Sequence, residues 1–331
     1  MDNDFFLSSE IDIENLNKII IPVINENFDS ELKTIRRFPT GSCHFVYDAI
    51  LKSEKNIVFR IWYFLSNKSK IVWSIFWYEQ MKALWIKVPE LLYSDVSCDK
   101  YPKPFTVSER LEWDDIWNMI DTLSDESLNS IAKEIVAIQN KISSLGAWAW
   151  FWEMTNYENG DLKESWKDFL YEKIDRIKTN LTKANVFDVS YITKIEKIVN
   201  DNSAYFDKVK PVPFFDDITS KNIIIDNNGN FSWVVDFDTM TFGDRLYWLW
   251  LTNMAFIFLD RIFYIECLSK YLKLTEEDLR IMNLYTIIFC VDFMSEVGHK
   301  FNKDEAIIDE NKIKKFKEIF KGIYSDLSKK N

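Results

Sequence analysis

PFFDDITSKNIIID, residues 213–226, and VVDFD, residues 234–238, decide how this chain is read. Two adjacent acids, Asp216 and Asp217, stand against a strongly apolar run, a costly placement unless something positive or protonatable uses them. An Asn follows five residues after Asp217, then three Ile, then the turn NNGN, then FSWVVDFD. Apolar, β-branched runs on either side of an Asn-Gly turn predict a β-hairpin over 222–238.

That hairpin has a chemical consequence. Asp217 and Asn222 share one short loop and can face one cavity, while the returning strand folds Asp236 back beside Asn222. A carboxamide and a carboxylate brought together this way suit a hard cation such as Mg²⁺. Phosphoryl transfer needs a group to orient the attacking hydroxyl, oxygen ligands for the metal and a cradle for the phosphates. Asp217 fits the first role, Asn222 and Asp236 the second.

The residues around this core resemble a family. FFDDITSKNIIID with VVDFDTMTFGDRLYWL is similar to the catalytic and metal-binding segments of the aminoglycoside phosphotransferase and choline kinase superfamily. The resemblance implies a protein-kinase-like α+β fold of two lobes. A small antiparallel sheet lobe would occupy 1–107 and a large, mostly helical lobe 108–331. It makes Asp217 the catalytic Asp and Asn222 and Asp236 the metal ligands, with Gly243 and Asp244 structural. FPTGSCHFVYDAIL (38–51) resembles the phosphate-binding turn, centred on Gly41 with the backbone of Ser42, Cys43 and His44. IVFRIW puts Arg60 at the third-strand cation that clamps phosphate, and Glu79 in WYEQMKAL is its candidate ion-pair partner. PFTVSERLEW resembles the hinge, with Ser108, Glu109 and Arg110 meeting adenine. The implied cofactors are ATP and Mg²⁺.

The chain departs from the pattern where the family has His-Gly, here Phe215–Asp216, so Phe215 must pack instead of bracing the loop by a hydrogen bond. Asp216 admits three readings: a plain replacement for glycine, a group behind the metal ligands, or a rival base. Arg245 and Trp248 replace a Pro and an Asp.

The rest of the chain sets bounds. Hydrophobic residues are 47% and charged residues 28%, a globular balance. Net charge is −11, which disfavours a nucleic-acid partner and suits a cationic small molecule. Four scattered cysteines and two histidines make a structural zinc site improbable. His44 and His299 read as ordinary surface or capping residues. The N-terminus lacks a signal-peptide pattern, and LYWLWLTNMAFIFL (246–259) is too short to span a membrane. A cytoplasmic protein without membrane or protein partners is expected.

Helical periodicity marks 11–32, 69–87, 124–145, 162–183, 190–200, 245–272, 275–298 and 310–328. Strands are expected at 34–38, 46–51, 56–64, 88–95 and 104–111. GAWAWFWEM (146–154) and LYWLWL (246–251) read as core. Asp292 and Glu296, one helical turn apart, are the candidate contacts for an amine-bearing substrate. The expected activity is ATP-dependent transfer of phosphate to a hydroxyl of a small molecule, of the aminoglycoside type. A catalytically silent ligand-binding relative and a choline or amino-alcohol kinase are the alternatives. A protein kinase is disfavoured because H-R-D, D-F-G and A-P-E are all missing.

Overall fold

The structure, a computed structural model, describes residues 5–7, 9–38, 44–62, 68–112, 114–153, 162–237, 240–299 and 308–329. The chain forms two compact units. The first comprises Met1–Gln80 and Lys87–Glu112, the second Met81–Ile86 and Trp113–Asn331.

In the first unit a short strand, β1 (Phe5–Phe6), precedes α1 (Glu10–Asn15), a π-helical turn (Leu16–Ile20) and α2 (Ile21–Asn27). Then come β2 (Leu32–Arg37), β3 (His44–Leu51), β4 (Asn56–Trp62), α3 (Lys68–Ala83), β5 (Leu91–Asp95) and β6 (Phe105–Glu109). The strands form one sheet in the order β1-β2-β3-β4-β6-β5, antiparallel apart from the β1–β2 pair. Strand alternation sorts its two faces. Phe45, Tyr47, Ala49, Ile57, Phe59, Ile61, Phe105 and Val107 pack with Leu16, Ile19, Ile20, Val23 and Ile24 from the helical lead-in. The Tyr47 hydroxyl donates to Asp12 at 2.7 Å and accepts from the Asn15 amide at 2.8 Å, tying that lead-in to the sheet. The opposite face carries His44, Val46, Asp48, Val58, Arg60 and Ser108, in register across β3, β4 and β6. β6 is paired on both sides, to β4 and to β5.

The second unit begins with β7 (Asp114–Asp115) and α4 (Ile116–Met119), followed by α5 (Asp125–Ser143), β8 (Trp152–Glu153), α6 (Trp166–Ala184), α7 (Ser190–Asp201) and α8 (Ser203–Phe206). Next come β9 (Val212–Phe215), β10 (Ile223–Ile225), β11 (Phe231–Val234) and β12 (Met240–Gly243). Four helices complete it: α9 (Leu249–Phe258), α10 (Phe263–Leu272), α11 (Glu276–Glu296) and α12 (Glu310–Ser328). Among the described residues no helix is long and apolar enough to cross a membrane.

The hairpin β10–β11 forms as the sequence requires, with Ile223 opposite Val234. Ser124 caps α5 by accepting the Ser127 N–H. Other expectations are corrected. The helix expected over 245–272 is two, because Asp260 adopts a left-handed φ of 57° between them. A second small sheet, β8-β12-β9, was not foreseen. GAWAWFWEM is not uniformly core: Trp148 and Trp150 are 46% and 37% exposed, whereas Tyr247, Trp248 and Trp250 are buried.

Gly243 and Asp244 are structural, as expected. A Cβ at Gly243 would lie 2.1 Å from a Trp166 ring carbon, far inside van der Waals contact. The Asp244 carboxylate accepts the Tyr205 hydroxyl at 2.8 Å, the Tyr285 hydroxyl at 2.7 Å and the Leu246 N–H at 3.0 Å. Burial raises its pKa, and these hydrogen bonds oppose the rise.

Candidate active site

The small sheet and the hairpin hold the two ends of the loop 216–222. On the entry side, β9 pairs with β12, Phe215 opposite Met240. On the exit side, β10 pairs with β11. Between them nearly every loop carbonyl finds a donor. Asp217 O accepts the Asn222 amide at 2.8 Å and the Thr219 N–H at 2.8 Å. Ile218 O accepts the Thr252 hydroxyl at 3.4 Å, Thr219 O the Asn222 N–H at 3.0 Å, and Ser220 O the Trp117 N–H at 3.1 Å. A loop so fully satisfied has little freedom to rearrange.

These bonds orient the chemistry. Because Asn222 spends its Nδ2 on the Asp217 carbonyl, its Oδ1 is the amide atom left to face a cation. Val235 N–H donates to Asn222 O at 3.0 Å, so Asp236 follows immediately beyond the point where the returning strand meets Asn222. Asp236 has a φ of 68°, in the left-handed region that Asp tolerates better than most residues. That sharp change of direction at the strand end separates Asp236 from the regular ladder. Asn222 is thus tied to Asp217 within the loop, and the Val235–Asn222 hydrogen bond brings the chain to Asp236 directly past Asn222. The Asn222 Oδ1 and the Asp236 carboxylate are hard oxygen donors, of the kind that suits Mg²⁺. Among the described residues no group of three or more His, Cys, Asp or Glu could hold a metal, so the fit rests on a two-residue set of this kind.

Phe215 and Asp216 now have definite places. Phe215 is fully buried, with its ring 5.2 Å from that of Phe237. The loop is braced instead by Gln139 of α5. Its Nε2 donates to Phe215 O at 2.8 Å, and its Oε1 accepts the Phe215 N–H at 3.1 Å. The Asp216 carboxylate is buried and accepts the Trp250 indole N–H at 2.9 Å. Lys173 lies 3.8 Å over the Trp250 ring, a cation–π contact made strong by burial. Asp216 thus fills a place that none of the three readings named, a buried anchor bonded to the helical core. Reasoning from sequence missed Gln139, Trp250 and Lys173.

The substrate-side candidates lie on α11. Asp292 is buried, whereas Glu296 keeps solvent access. Loss of surrounding water, then the neighbouring Asp292, pushes the Glu296 carboxyl up to about 7, against the pull of Lys312, Arg176 and Lys173.

In the first unit, Gly41, Ser42 and Cys43 lie outside the described residues. His44 is buried, not a surface residue. Its Nε2 takes the Arg60 guanidinium, at 3.1 Å from Nε and 2.7 Å from Nη2. Arg60 therefore stands on the face away from the apolar core, as a phosphate clamp requires. Glu79, the expected partner of Arg60, is exposed on α3. Ser108–Arg110 are also less open than expected. Glu109 N–H is bonded to Glu90 O at 2.9 Å and Arg110 N–H to Asn56 O at 3.1 Å.

The family model described as the phosphotransferase enzyme family matches residues 66–272. No curated protein matches the chain. Solved structures do. Apo aminoglycoside phosphotransferase APH(4)-Ia, in a thermostable mutant form, superposes with a TM-score of 0.63 at 14% identity, covering 91% of this chain and 97% of its own. ADP-bound APH(2'')-Ib gives 0.61 at 17% identity, covering 97% and 99%. A GDP complex of a 2'-phosphotransferase-IIIa mutant gives 0.64 at 13% identity, covering 94% and 98%. At these identities the likeness shows the fold, a kinase-like one. Other such structures hold ADP with hygromycin B, and streptomycin with ATP.

Proposed function

The chain belongs to the phosphotransferase enzyme family, and we propose that it moves the γ-phosphate of ATP to a hydroxyl of a small, amine-bearing molecule of the aminoglycoside kind. The observation that carries this is the braced loop 216–222, in which one amide bond from Asn222 fixes the Asp217 peptide while the β11 return delivers Asp236.

Asp217 orients the acceptor hydroxyl and takes its proton as the hydroxyl oxygen bonds to the γ-phosphorus and the bond from that phosphorus to the β–γ bridging oxygen breaks, with ADP as the leaving group. Asn222 Oδ1 and the Asp236 carboxylate would hold Mg²⁺, which when bound neutralises charge on the phosphate oxygens. Arg60, held by His44, is the cation that would meet phosphate oxygens. Asp292 and the ionised form of Glu296 attract substrate ammonium groups, in keeping with the acidic net charge.

The test is ATP and GTP consumption, with Mg²⁺ present or chelated, across aminoglycosides, macrolides, choline and amino sugars. Acceptor-dependent, Mg²⁺-dependent consumption with an aminoglycoside is expected. Consumption with choline alone moves the substrate to the amino alcohols. No nucleotide consumption with any acceptor, together with no thermal shift on adding nucleotide, sinks the proposal in favour of a silent relative.

A further inference from the structure

The edge of β9 explains how a chain with Phe at position 215 still holds its loop. β9 is an outer strand of its sheet, so one row of its backbone groups faces away from β12 and must be satisfied elsewhere. Three successive carbonyls on that row have partners. Pro211 O accepts the Trp148 N–H at 2.8 Å, and Pro213 O the Ser143 hydroxyl at 3.2 Å. Phe215 O accepts from Gln139, which also takes the Phe215 N–H. The step of two from Phe215 to Pro213 matches the step of four, about one turn, from Gln139 to Ser143 on α5, and Trp148 lies past the end of that helix. Pro213 has no N–H, so a single hydroxyl suffices for it. Phe215 presents both groups, and the Gln139 carboxamide has the matching donor and acceptor at the spacing of a neighbouring strand. Gln139 is 2% exposed, so neither of its hydrogen bonds competes with bulk water.

We infer that Gln139 is a positioning residue for Asp217: a helix-borne carboxamide that does, through the Phe215 backbone, the bracing that a side chain at 215 does not. The inference rests on the proposed function for its kinetic meaning and on the hydrogen-bond geometry for its structural one. Phe215 lies two residues before Asp217, and nothing flexible intervenes, since Asp216 is itself held by Trp250. A slip of the Phe215 peptide is therefore passed to the Asp217 carboxylate, where displacement of about 1 Å costs roughly 100-fold in rate.

The experiment compares the full-length wild type with Gln139→Glu and Gln139→Leu. Gln139→Glu keeps shape and the acceptor for the Phe215 N–H but loses the donor to its carbonyl. For the acceptor-dependent reaction, kcat is expected to fall roughly 10- to 100-fold in either variant, with KM for ATP within about twofold because nucleotide contacts are untouched. Amide exchange over 214–222 should quicken while α5 stays protected. A merely structural role would lower the melting temperature and leave kcat unchanged. A folded variant with wild-type kcat and unchanged exchange over 214–222 overturns the inference. If the wild type itself consumes no nucleotide, the proposed function fails, and the exchange arm still decides: equal protection in wild type and Gln139→Leu rejects the brace.

Discussion

The loop 216–222 and the carboxylate pair on α11 are both acidic, yet they are built in opposite ways. In the loop, backbone carbonyls are tied off one after another, and Asn222 and Gln139 are consumed in fixing peptides. On α11, Asp292 and Glu296 share a crowd of titratable groups, with Lys173, Arg176 and Lys312 acting on Glu296 from α6 and α12. The difference teaches where rigidity is needed. Groups that meet a transferring phosphate must be placed to a fraction of an ångström. Groups that attract a substrate cation act over several ångströms and can be tuned by charge alone.

Substitutions can break this contrast. Apart from Asp217 itself, the largest effect is expected at Asp236. Asp236→Ala removes one oxygen donor from the cation set and should lower kcat roughly 100- to 1,000-fold, with Mg²⁺ no longer stimulating turnover. A Mg²⁺ titration of ATP consumption checks this, and an unchanged curve would remove Asp236 from the site.

Next comes the scaffold. Gly243→Ala forces a Cβ against Trp166 and should destabilise by roughly 1–3 kcal/mol or more, as overpacking does. Denaturant unfolding measures it. A loss below about 0.5 kcal/mol would mean that the Trp166 ring has room to move.

The smallest effects belong to α11. Glu296 has a folded pKa of about 7, raised above its ordinary value of 4.5. Its stabilising contribution is therefore fully present below about 4.5 and is lost as pH rises through about 7. Glu296→Gln should flatten the fall of melting temperature between pH 5 and pH 8. For function the sign is reversed: an ammonium ligand wants the ionised carboxylate, so substrate KM should fall a few-fold from pH 6 to pH 8 in wild type and stay flat in the variant. A KM–pH profile identical in both proteins would detach Glu296 from the substrate.

How much of this was legible beforehand follows from whether a signal is local. The hairpin was readable because Asn-Gly and the Ile run fix both turn and register within about fifteen residues. α5, α6 and α11 were readable from capping residues and apolar spacing. The β8-β12-β9 sheet was not, because its strands are two to four residues long and come from three distant segments. Arg60 was placed correctly on its strand, but its contact with His44 was not foreseen. His44 is its diagonal neighbour across β3–β4, set by register, whereas Glu79 was chosen by family order alone. Gln139 carried no signal at all: a polar residue on an amphipathic helix looks the same whether it meets water or a strand edge. Asp216 was ambiguous because its partner, Trp250, lies 34 positions away.

The central claim is that the loop 216–222 performs phosphoryl transfer, with Asp217 acting on the acceptor hydroxyl. Its most direct test is kcat of Asp217→Asn for acceptor-dependent ATP consumption, alongside melting temperature and KM for ATP. The account predicts a drop of roughly 100- to 10,000-fold, the usual contribution of a general base, with the other two nearly unchanged. Turnover at the wild-type rate by the folded variant would contradict it.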